Sequence, residues 1–279
     1  AYEMLRSLAG SEMCIRDRLK DGDTLDAVLA RITGYADYAS GVADVDFVIE
    51  SVAENLDIKK SVWVEVEHAA PKDAILSTNT SGLSPTALQS VMGHPERFVV
   101  AHFWNPAQLM PLVEVVPGEK TDPKVVDITF DLMAKIGKKP AKIKKESLGF
   151  VGNRLQLAVL REAVHIVQQG IADAATVDDV MKYSLGRRWN LVGPIASIDL
   201  GGLDVFYNIS TYLFDDMDNG TGPSPLLAEK VREGNLGAKT GQGFFSWQGE
   251  DGKRIIETRN KALLRALKDD AADAAAAQA

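Results

Sequence analysis

The first half of the chain alternates short apolar runs with longer segments in which apolar side chains recur every three or four residues. The runs are rich in Val, Ile, Leu and Phe, which is typical of strands buried on both faces of a parallel sheet. The segments between them have the periodicity of helices that cover such a sheet. The pattern predicts strands at residues 46–52, 74–78, 98–103, 112–116 and 140–143, and helices at residues 21–32, 56–70 and 122–137.

From residue 148 onward the strand-like runs stop and the periodicity is helical. The clearest segment, residues 150–170, places apolar side chains on one face and ends in a glycine. Residues 203–214 and 226–231 continue the pattern, whereas the alanine-rich end of the chain predicts a disordered tail. We therefore expect an α/β domain over residues 21–147, an all-helical domain over residues 148–268 and disorder over residues 269–279.

Composition restricts the classes of partner. The 279 residues are enough for two ordinary domains, and the formal net charge is −8. Because no stripe of Lys and Arg is present, we expect neither nucleic acid nor an anionic membrane surface as a partner. No apolar run reaches the roughly 18 residues of a membrane span. A single cysteine cannot form an internal disulfide, which favours a cytoplasmic protein in a reducing compartment.

Two side chains suited to acid–base chemistry lie in neighbouring predicted strands. His102 is near the end of one strand, and Glu114 is inside the next, 12 residues further on. Asn105-Pro106 and Pro111 lie between them and predict a turn that brings the carboxylate beside the imidazole. Such a carboxylate fixes the tautomer of the ring and raises its basicity, which suits a general base near neutral pH. The alternative is a buried ion pair with no catalytic role.

The segment AHFWNP…PLVEVV around this pair resembles the catalytic strand pair of the 3-hydroxyacyl-CoA dehydrogenase family. Three further segments fall in the family's order. They are residues 77–81 (STNTS), which resemble its SNTSS strand end, residues 149–154 (GFVGNR), which resemble its GF-V-NR helix start, and residues 237–245 (GAKTGQGFF), which resemble its G-K-TG-GF signature. Four motifs in one order are specific, and the resemblance covers roughly residues 21–268.

The resemblance implies an NAD-dependent oxidoreductase of fatty-acid or short-chain acyl-CoA metabolism. Its reaction would be the reversible oxidation of the 3-hydroxyl of a 3-hydroxyacyl-CoA to the 3-oxoacyl-CoA. The resemblance assigns His102 as the general base and Glu114 as the group that orients it, with Ser81 and Asn153 as hydrogen-bond partners of the reacting oxygen. It also implies a Rossmann-like sheet and a homodimer formed through the helical domain.

The cofactor residues implied by the resemblance are Glu54, Lys59 and Asn79, which match family positions near the nicotinamide half of NAD. Glu54 and Asn79 follow predicted strands, at the edge of the sheet where α/β folds bind ligands. The alternatives are structural, since Asn55 is a good helix cap, Lys59 could lie on a solvated helix face, and Asn79 could form a turn. No histidine is spaced with other ligands for a metal, so we expect no metal site.

The glycine-rich loop that binds pyrophosphate, G-x-G-x-x-G between a strand and a helix, occurs nowhere in this sequence. Residues 8–17 (LAGSEMCIRD) instead resemble the translation of a transposon end used in preparing sequencing libraries. We therefore expect residues 1–20 to be a non-native stub, which contains Cys14 and leaves the NAD-binding domain incomplete. The alternative is a genuine N-terminal helix. Without the loop and the acidic residue that follows it, NAD cannot be told from NADP.

Two other functions stay open. Residues 185–194 (LGRRWNLVGP) also resemble relatives that act on small polar hydroxy acids such as carnitine or gulonate. A non-catalytic binding or structural protein built on the same fold, like the lens crystallin relatives, is the second alternative. The combination of Ser81, His102, Glu114 and Asn153 argues against it, because a pure scaffold has no need for all four.

Overall fold

The computed structural model describes residues 22–276, and the predicted non-native stub at residues 1–20 lies outside this range. The strands of the described part are β1 (Phe47–Glu50), β2 (Ile75–Thr78), β3 (Phe98–Phe103), β4 (Leu112–Pro117) and β5 (Lys139–Lys142). Its helices are α1 (Leu25–Leu29), α2 (Tyr38–Val42), α3 (Leu56–Ala69), α4 (Pro85–Gln89), α5 (Pro123–Lys135), α6 (Gly152–Gln168), α7 (Ala174–Tyr183), α8 (Leu185–Gly201), α9 (Leu203–Leu213), α10 (Pro225–Arg232) and α11 (Gly249–Ala276).

The strands form one sheet in the order β1-β2-β3-β4-β5. Strands β1, β2 and β3 run parallel, because α3 and α4 carry the chain back between them. Strand β4 is antiparallel to β3, since the turn at residues 104–111 is too short for a crossover, and α5 then returns the chain to a parallel β5. Pro140 is tolerated in β5 because this strand lies at an edge of the sheet.

Helices cover both faces of the sheet, as the near-continuous apolar strands predict. Phe98 in β3 packs edge to face on Trp63 of α3, with ring centroids 5.1 Å apart, and both side chains are fully buried. The next residue, Val99, points to the other face and packs with Val125 of α5. The predicted fold class, a Rossmann-like α/β sheet followed by a helical part, is confirmed by this arrangement.

The chain divides into two compact units. One comprises residues 22–153 together with the end of α11 from Leu263, and the other comprises Arg154–Ala262, which is helical. Within the described range, no helix combines the length and apolar character that crossing a bilayer would require.

Two helices differ from the sequence-based expectation. Helix α1 covers Leu25–Leu29, much less than the predicted residues 21–32. Helix α11 continues to Ala276, so residues 269–276 are helical where the low-complexity composition predicted disorder. The reason is that alanine, which dominates this segment, has the highest helix propensity of all residues.

Candidate active site

His102 and Glu114 form a buried pair in the middle of the described sheet. They lie directly opposite each other in the antiparallel β3–β4 register, and the His102 Nδ1 and Glu114 Oε2 atoms are 3.0 Å apart. His102 is 4% exposed and Glu114 is 2% exposed. A carboxylate can only accept, so Nδ1 carries the hydrogen of this bond and the neutral ring keeps its lone pair on Nε2. The predicted contact therefore exists, with the tautomer that a base acting through Nε2 requires.

Glu114 accepts four hydrogen bonds. Its Oε2 accepts from His102 and from the Trp104 Nε1 atom at 3.3 Å. Its Oε1 accepts from the backbone N–H groups of Val151 at 3.1 Å and Gly152 at 3.0 Å. Burial by itself raises the pKa of Glu114, but the hydrogen bonds from His102, Gly152, Val151 and Trp104 outweigh it and hold the pKa below its ordinary value. The carboxylate thus stays ionised beside the imidazole.

The segment before α6 is bent so that it can donate to Glu114. Gly149 (φ 74°) and Phe150 (φ 51°) both adopt left-handed backbone conformations. For a bulky residue such as phenylalanine this conformation costs about 1 kcal/mol or more. The Phe150 side chain is fully buried, and its ring centroid lies 5.7 Å from that of His102. Phe150 therefore packs on the imidazole while its backbone aims the next two N–H groups at the carboxylate.

Ser81 and Asn153, the predicted partners of the reacting oxygen, are bonded to each other. The Asn153 side-chain amide donates to the Ser81 backbone carbonyl at 2.6 Å. The Ser81 backbone N–H donates to Glu54 Oε1 at 2.8 Å, and the Thr80 hydroxyl donates to the same oxygen at 2.6 Å. Since Asn153 follows Gly152 directly, its side chain is held at the same helix start that binds Glu114.

Asn79 holds the ends of three strands together. Its Oδ1 accepts from the backbone N–H of Phe103 at 2.8 Å, and its Nδ2 donates to the Ser51 hydroxyl at 3.3 Å. Because Phe103 follows His102, this contact fixes the end of β3 at which the imidazole lies. A role of Asn79 toward nicotinamide stays a prediction.

Lys59 does not lie on a solvated helix face, so that alternative is wrong. The residue is 1% exposed, and its Nζ lies 2.7 Å from Glu50 Oε1, 3.4 Å from Glu54 Oε2 and 3.3 Å from the Val52 carbonyl oxygen. Three acceptors surround an ammonium group that has three hydrogens. Lys59 as a direct cofactor ligand stays a prediction, but these contacts make it the group that anchors Glu54. Hydrogen bonds and ion pairs thus connect Lys59 to His102 in a continuous network. Between them lie Glu54, Ser81, the start of α6 and Glu114.

The residues at the carboxyl ends of the parallel strands fit the nicotinamide half of a dinucleotide. The Glu54 side chain is 44% exposed, so an accessible carboxylate is present for hydroxyl donors. The G-x-G-x-x-G loop for the pyrophosphate is absent from the sequence. Among residues 22–276, no cluster of three or more His, Cys, Asp or Glu side chains is arranged to hold a metal ion.

Four residues of this network had no role predicted from the sequence. The sequence motifs quoted above contain Trp104, Phe150 and Gly152, but a motif does not reveal which groups these residues contact. Glu50 had its own signal, because a carboxylate inside an apolar strand requires a partner when it is buried. That partner is Lys59, nine positions further on.

The α/β part and the helical part of the chain each match a domain model of one protein family. Residues 4–147 match the model of the 3-hydroxyacyl-CoA dehydrogenase NAD binding domain. Residues 149–247 match the model of the 3-hydroxyacyl-CoA dehydrogenase C-terminal domain.

Three curated relatives show the range of substrates among similar proteins. The 5-formyl-3-hydroxy-2-methylpyridine 4-carboxylate 5-dehydrogenase of Mesorhizobium japonicum is 36% identical over 82% of this chain and 74% of its own length. The L-carnitine dehydrogenase of the same organism is 46% identical over 56% of this chain, a match that spans only 43% of the relative. A probable 3-hydroxybutyryl-CoA dehydrogenase of Deinococcus radiodurans is 34% identical over 84% of this chain and 82% of its length.

A solved structure of a 5-formyl-3-hydroxy-2-methylpyridine 4-carboxylic acid 5-dehydrogenase, described as an NAD+-dependent dismutase, is also similar. It has a TM-score of 0.86 at 33% identity, with 96% of this chain and 87% of that chain covered.

Proposed function

The chain belongs to the 3-hydroxyacyl-CoA dehydrogenase family of NAD-dependent oxidoreductases, and we propose that it oxidises the 3-hydroxyl of a 3-hydroxyacyl-CoA to the 3-oxoacyl-CoA, reversibly. The observation that carries the proposal is the His102–Glu114 pair, in which Glu114 fixes Nδ1–H and leaves Nε2 as the basic nitrogen. NAD, when bound, supplies the acceptor for the hydride that leaves the carbinol carbon.

His102 is the catalytic residue of this proposal. Its Nε2 takes the proton of the substrate hydroxyl during oxidation and returns it to the ketone oxygen in the reverse direction. Glu114 is a positioning residue, because it holds the tautomer of the ring and stabilises the imidazolium that forms. The low pKa of Glu114 keeps the transferred proton on His102, from which it can be released or returned.

Ser81 and Asn153 restrain and stabilise the reacting oxygen. The Asn153 amide uses one of its hydrogens on the Ser81 carbonyl and has a second hydrogen that can be donated to a substrate. The Ser81 hydroxyl can donate to the same oxygen as its negative charge develops. Glu54 supports Ser81 and Asn153, because it accepts a hydrogen bond from the Ser81 backbone. We therefore include the Glu54–Lys59 ion pair in the site.

A second candidate substrate is a small polar hydroxy acid of the carnitine or gulonate type. It is favoured by the 46% identity to an L-carnitine dehydrogenase and by the TM-score of 0.86 to an enzyme that acts on a pyridine carboxylic acid. The thioester substrate is favoured by the match to both family domains and by the 82% coverage of the probable 3-hydroxybutyryl-CoA dehydrogenase.

Turnover assays separate these candidates. NADH formation is measured with the purified full chain, NAD, and either 3-hydroxybutyryl-CoA or L-carnitine. We expect a higher kcat/KM with the CoA thioester, whereas a preference for L-carnitine would reassign the substrate.

The role of His102 is tested by His102→Ala, for which we expect a loss of kcat of about 10²-fold to 10⁴-fold, the contribution of a general base. The matched control is His94→Ala, because His94 also pairs with a glutamate, Glu96, but lies exposed. Equal losses in the two variants would remove His102 from the reaction.

We also propose a homodimer formed through the helical part of the chain. Within Arg154–Ala262, large apolar side chains are strongly exposed, among them Leu191 at 79%, Leu200 at 78% and Ile195 at 71%. Exposure of this extent is typical of surfaces that a partner covers. Light scattering of the purified chain is expected to give twice the monomer mass of 30.2 kDa, and a monomer at micromolar concentration would contradict the proposal.

A further inference from the structure

The indole of Trp104 lies beside Glu114, His102 and Gly152. Its Nε1–H donates to Glu114 Oε2, the oxygen that also accepts from His102. Its ring centroid lies 5.6 Å from that of His102, with the ring planes tilted by 52°. The six-membered part of the indole lies against the backbone of Gly152, whose N–H donates to the other oxygen of Glu114.

Gly152 has no side chain at the point where the indole lies. A Cβ at this position would be 2.1 Å from Trp104 Cζ2 and 3.0 Å from its Cε2 and Cη2 atoms. A carbon–carbon contact normally requires about 3.5–4.0 Å. The indole is rigid and is restrained at Nε1, so it cannot avoid such a Cβ without leaving the carboxylate. The backbone conformation of Gly152 does not demand glycine, because its φ is not among the positive ones. Space for the indole is therefore what requires glycine here.

We propose that Trp104 and Gly152 form a matched pair that positions the His102–Glu114 couple, with the indole restraining the carboxylate and the missing side chain giving it room. The inference deepens the proposed function, on which it rests for the role of His102 as the base. Trp104 is a positioning residue in this scheme, since it acts on His102 through Glu114.

The arrangement has a measurable electrostatic consequence. Glu114 is the charged group in contact with His102 among the described residues, and the other ring neighbours, Phe150 and Trp104, are neutral. Two donors share Oε2, so the indole N–H withdraws part of the negative charge that would otherwise stabilise the imidazolium. Removal of the indole N–H strengthens the hold of Glu114 on protonated His102. The pH profile of oxidation, which needs the neutral ring, is the property that this change is expected to move.

Trp104→Phe tests the electrostatic part, because phenylalanine keeps an aromatic ring but lacks both Nε1 and Cζ2. We expect the acidic limb of the pH profile of kcat/KM for oxidation to move to higher pH, because one of the two donors on Glu114 Oε2 is gone. Trp247→Phe, which changes an indole outside this network, serves as the matched control and is expected to leave the limb in place. An unchanged limb in Trp104→Phe would overturn the electrostatic part.

A double-mutant cycle tests the packing part. Gly152→Ala alone is expected to reduce kcat by at least 10²-fold, because the new Cβ displaces the indole and the N–H groups that hold Glu114. In the Trp104→Phe background the same change is expected to cost less than about 5-fold, because the clashing Cζ2 is gone. Equal losses in both backgrounds would overturn the proposal.

NMR spectra of the purified protein without substrate keep the inference separate from the proposed function. The indole N–H signal of Trp104, assigned by its loss in Trp104→Phe, reports the hydrogen bond to Glu114 without turnover. It is expected to move in Gly152→Ala, because the new Cβ displaces the indole from the carboxylate. If that variant does not fold, Glu114→Gln, which changes the acceptor, is expected to move the same signal. Turnover failure with a moved signal would refute the proposed function only, and an unmoved signal would refute the positioning pair.

Discussion

Glu114→Gln is the substitution whose effect follows most directly from the structure. The carboxylate accepts two donors on each oxygen, namely His102 and Trp104 on Oε2 and two backbone N–H groups on Oε1. Glutamine has one acceptor oxygen and one NH₂ group that only donates. Whichever way the amide is turned, its NH₂ group therefore faces donors that the carboxylate accepted.

The two orientations damage different properties. If the amide oxygen faces His102, the N–H groups of Val151 and Gly152 lose their acceptor. If the NH₂ group faces His102, the ring must move its hydrogen to Nε2, and the basic nitrogen no longer faces the substrate. Each unsatisfied buried donor costs about 1–3 kcal/mol. Two donors are unsatisfied in the first orientation and one, the Trp104 N–H, in the second, so the free energy of unfolding is expected to fall by about 1–6 kcal/mol. We expect kcat to fall on the order of 10³-fold, because the charge is lost in both orientations and the tautomer in the second.

Chemical denaturation and steady-state kinetics measure the two effects. Glu67→Gln is the matched control, because Glu67 also accepts two backbone N–H groups, those of Gly93 and His94, but lies away from His102. It is expected to lower stability slightly and to leave kcat unchanged. If Glu114→Gln keeps more than a tenth of the wild-type kcat, the reasoning that His102 needs the charged carboxylate of Glu114 is refuted.

Three further predictions concern acid stability, the buried ion pair and the substrate oxygen. The folded-state pKa of Glu114 lies below its ordinary value of 4.5. The stability that the ionised carboxylate contributes is therefore present above pH 4.5 and is lost as the pH falls through the lowered pKa. Thermal unfolding across this range is expected to show a smaller acid dependence in Glu114→Gln than in the wild type. Lys59→Met leaves the Glu50 carboxylate buried without its cation and is expected to lower the free energy of unfolding by about 3–5 kcal/mol in urea titrations, whereas a change below 1 kcal/mol would contradict a buried pair. Asn153→Ala removes the donor to the Ser81 carbonyl and is expected to reduce kcat by about 10²-fold with a smaller change in KM, a pattern that equal effects on both constants would contradict.

The sequence predicted the sheet and its central pair because both depend on local information. Apolar runs of the right length predict strands, and β3 was predicted with the bounds that it has in the structure. The turn between β3 and β4 is short and contains prolines, so the two strands pair as an antiparallel hairpin. Once that register is set, His102 and Glu114 face each other across neighbouring strands without help from distant residues.

The surroundings of the pair were decided only by the tertiary structure. The backbone N–H groups that complete Glu114 lie 37 and 38 residues away, and they reach it because Gly149 and Phe150 bend the chain before α6. The sequence alone could not tell whether Lys59 was solvated, since the burial of a helix face depends on what packs against it.

The packing of Trp104 against Gly152 is another contact that the sequence alone does not predict. The sequence determined which residues stand in each motif, and so which chemical groups are available: an imidazole, a carboxylate, an indole and a position without a side chain. Their contacts depend on distances of a few tenths of an ångström between segments 48 positions apart in the chain. Close packing of the folded chain sets such distances, and no spacing or periodicity in the sequence records them.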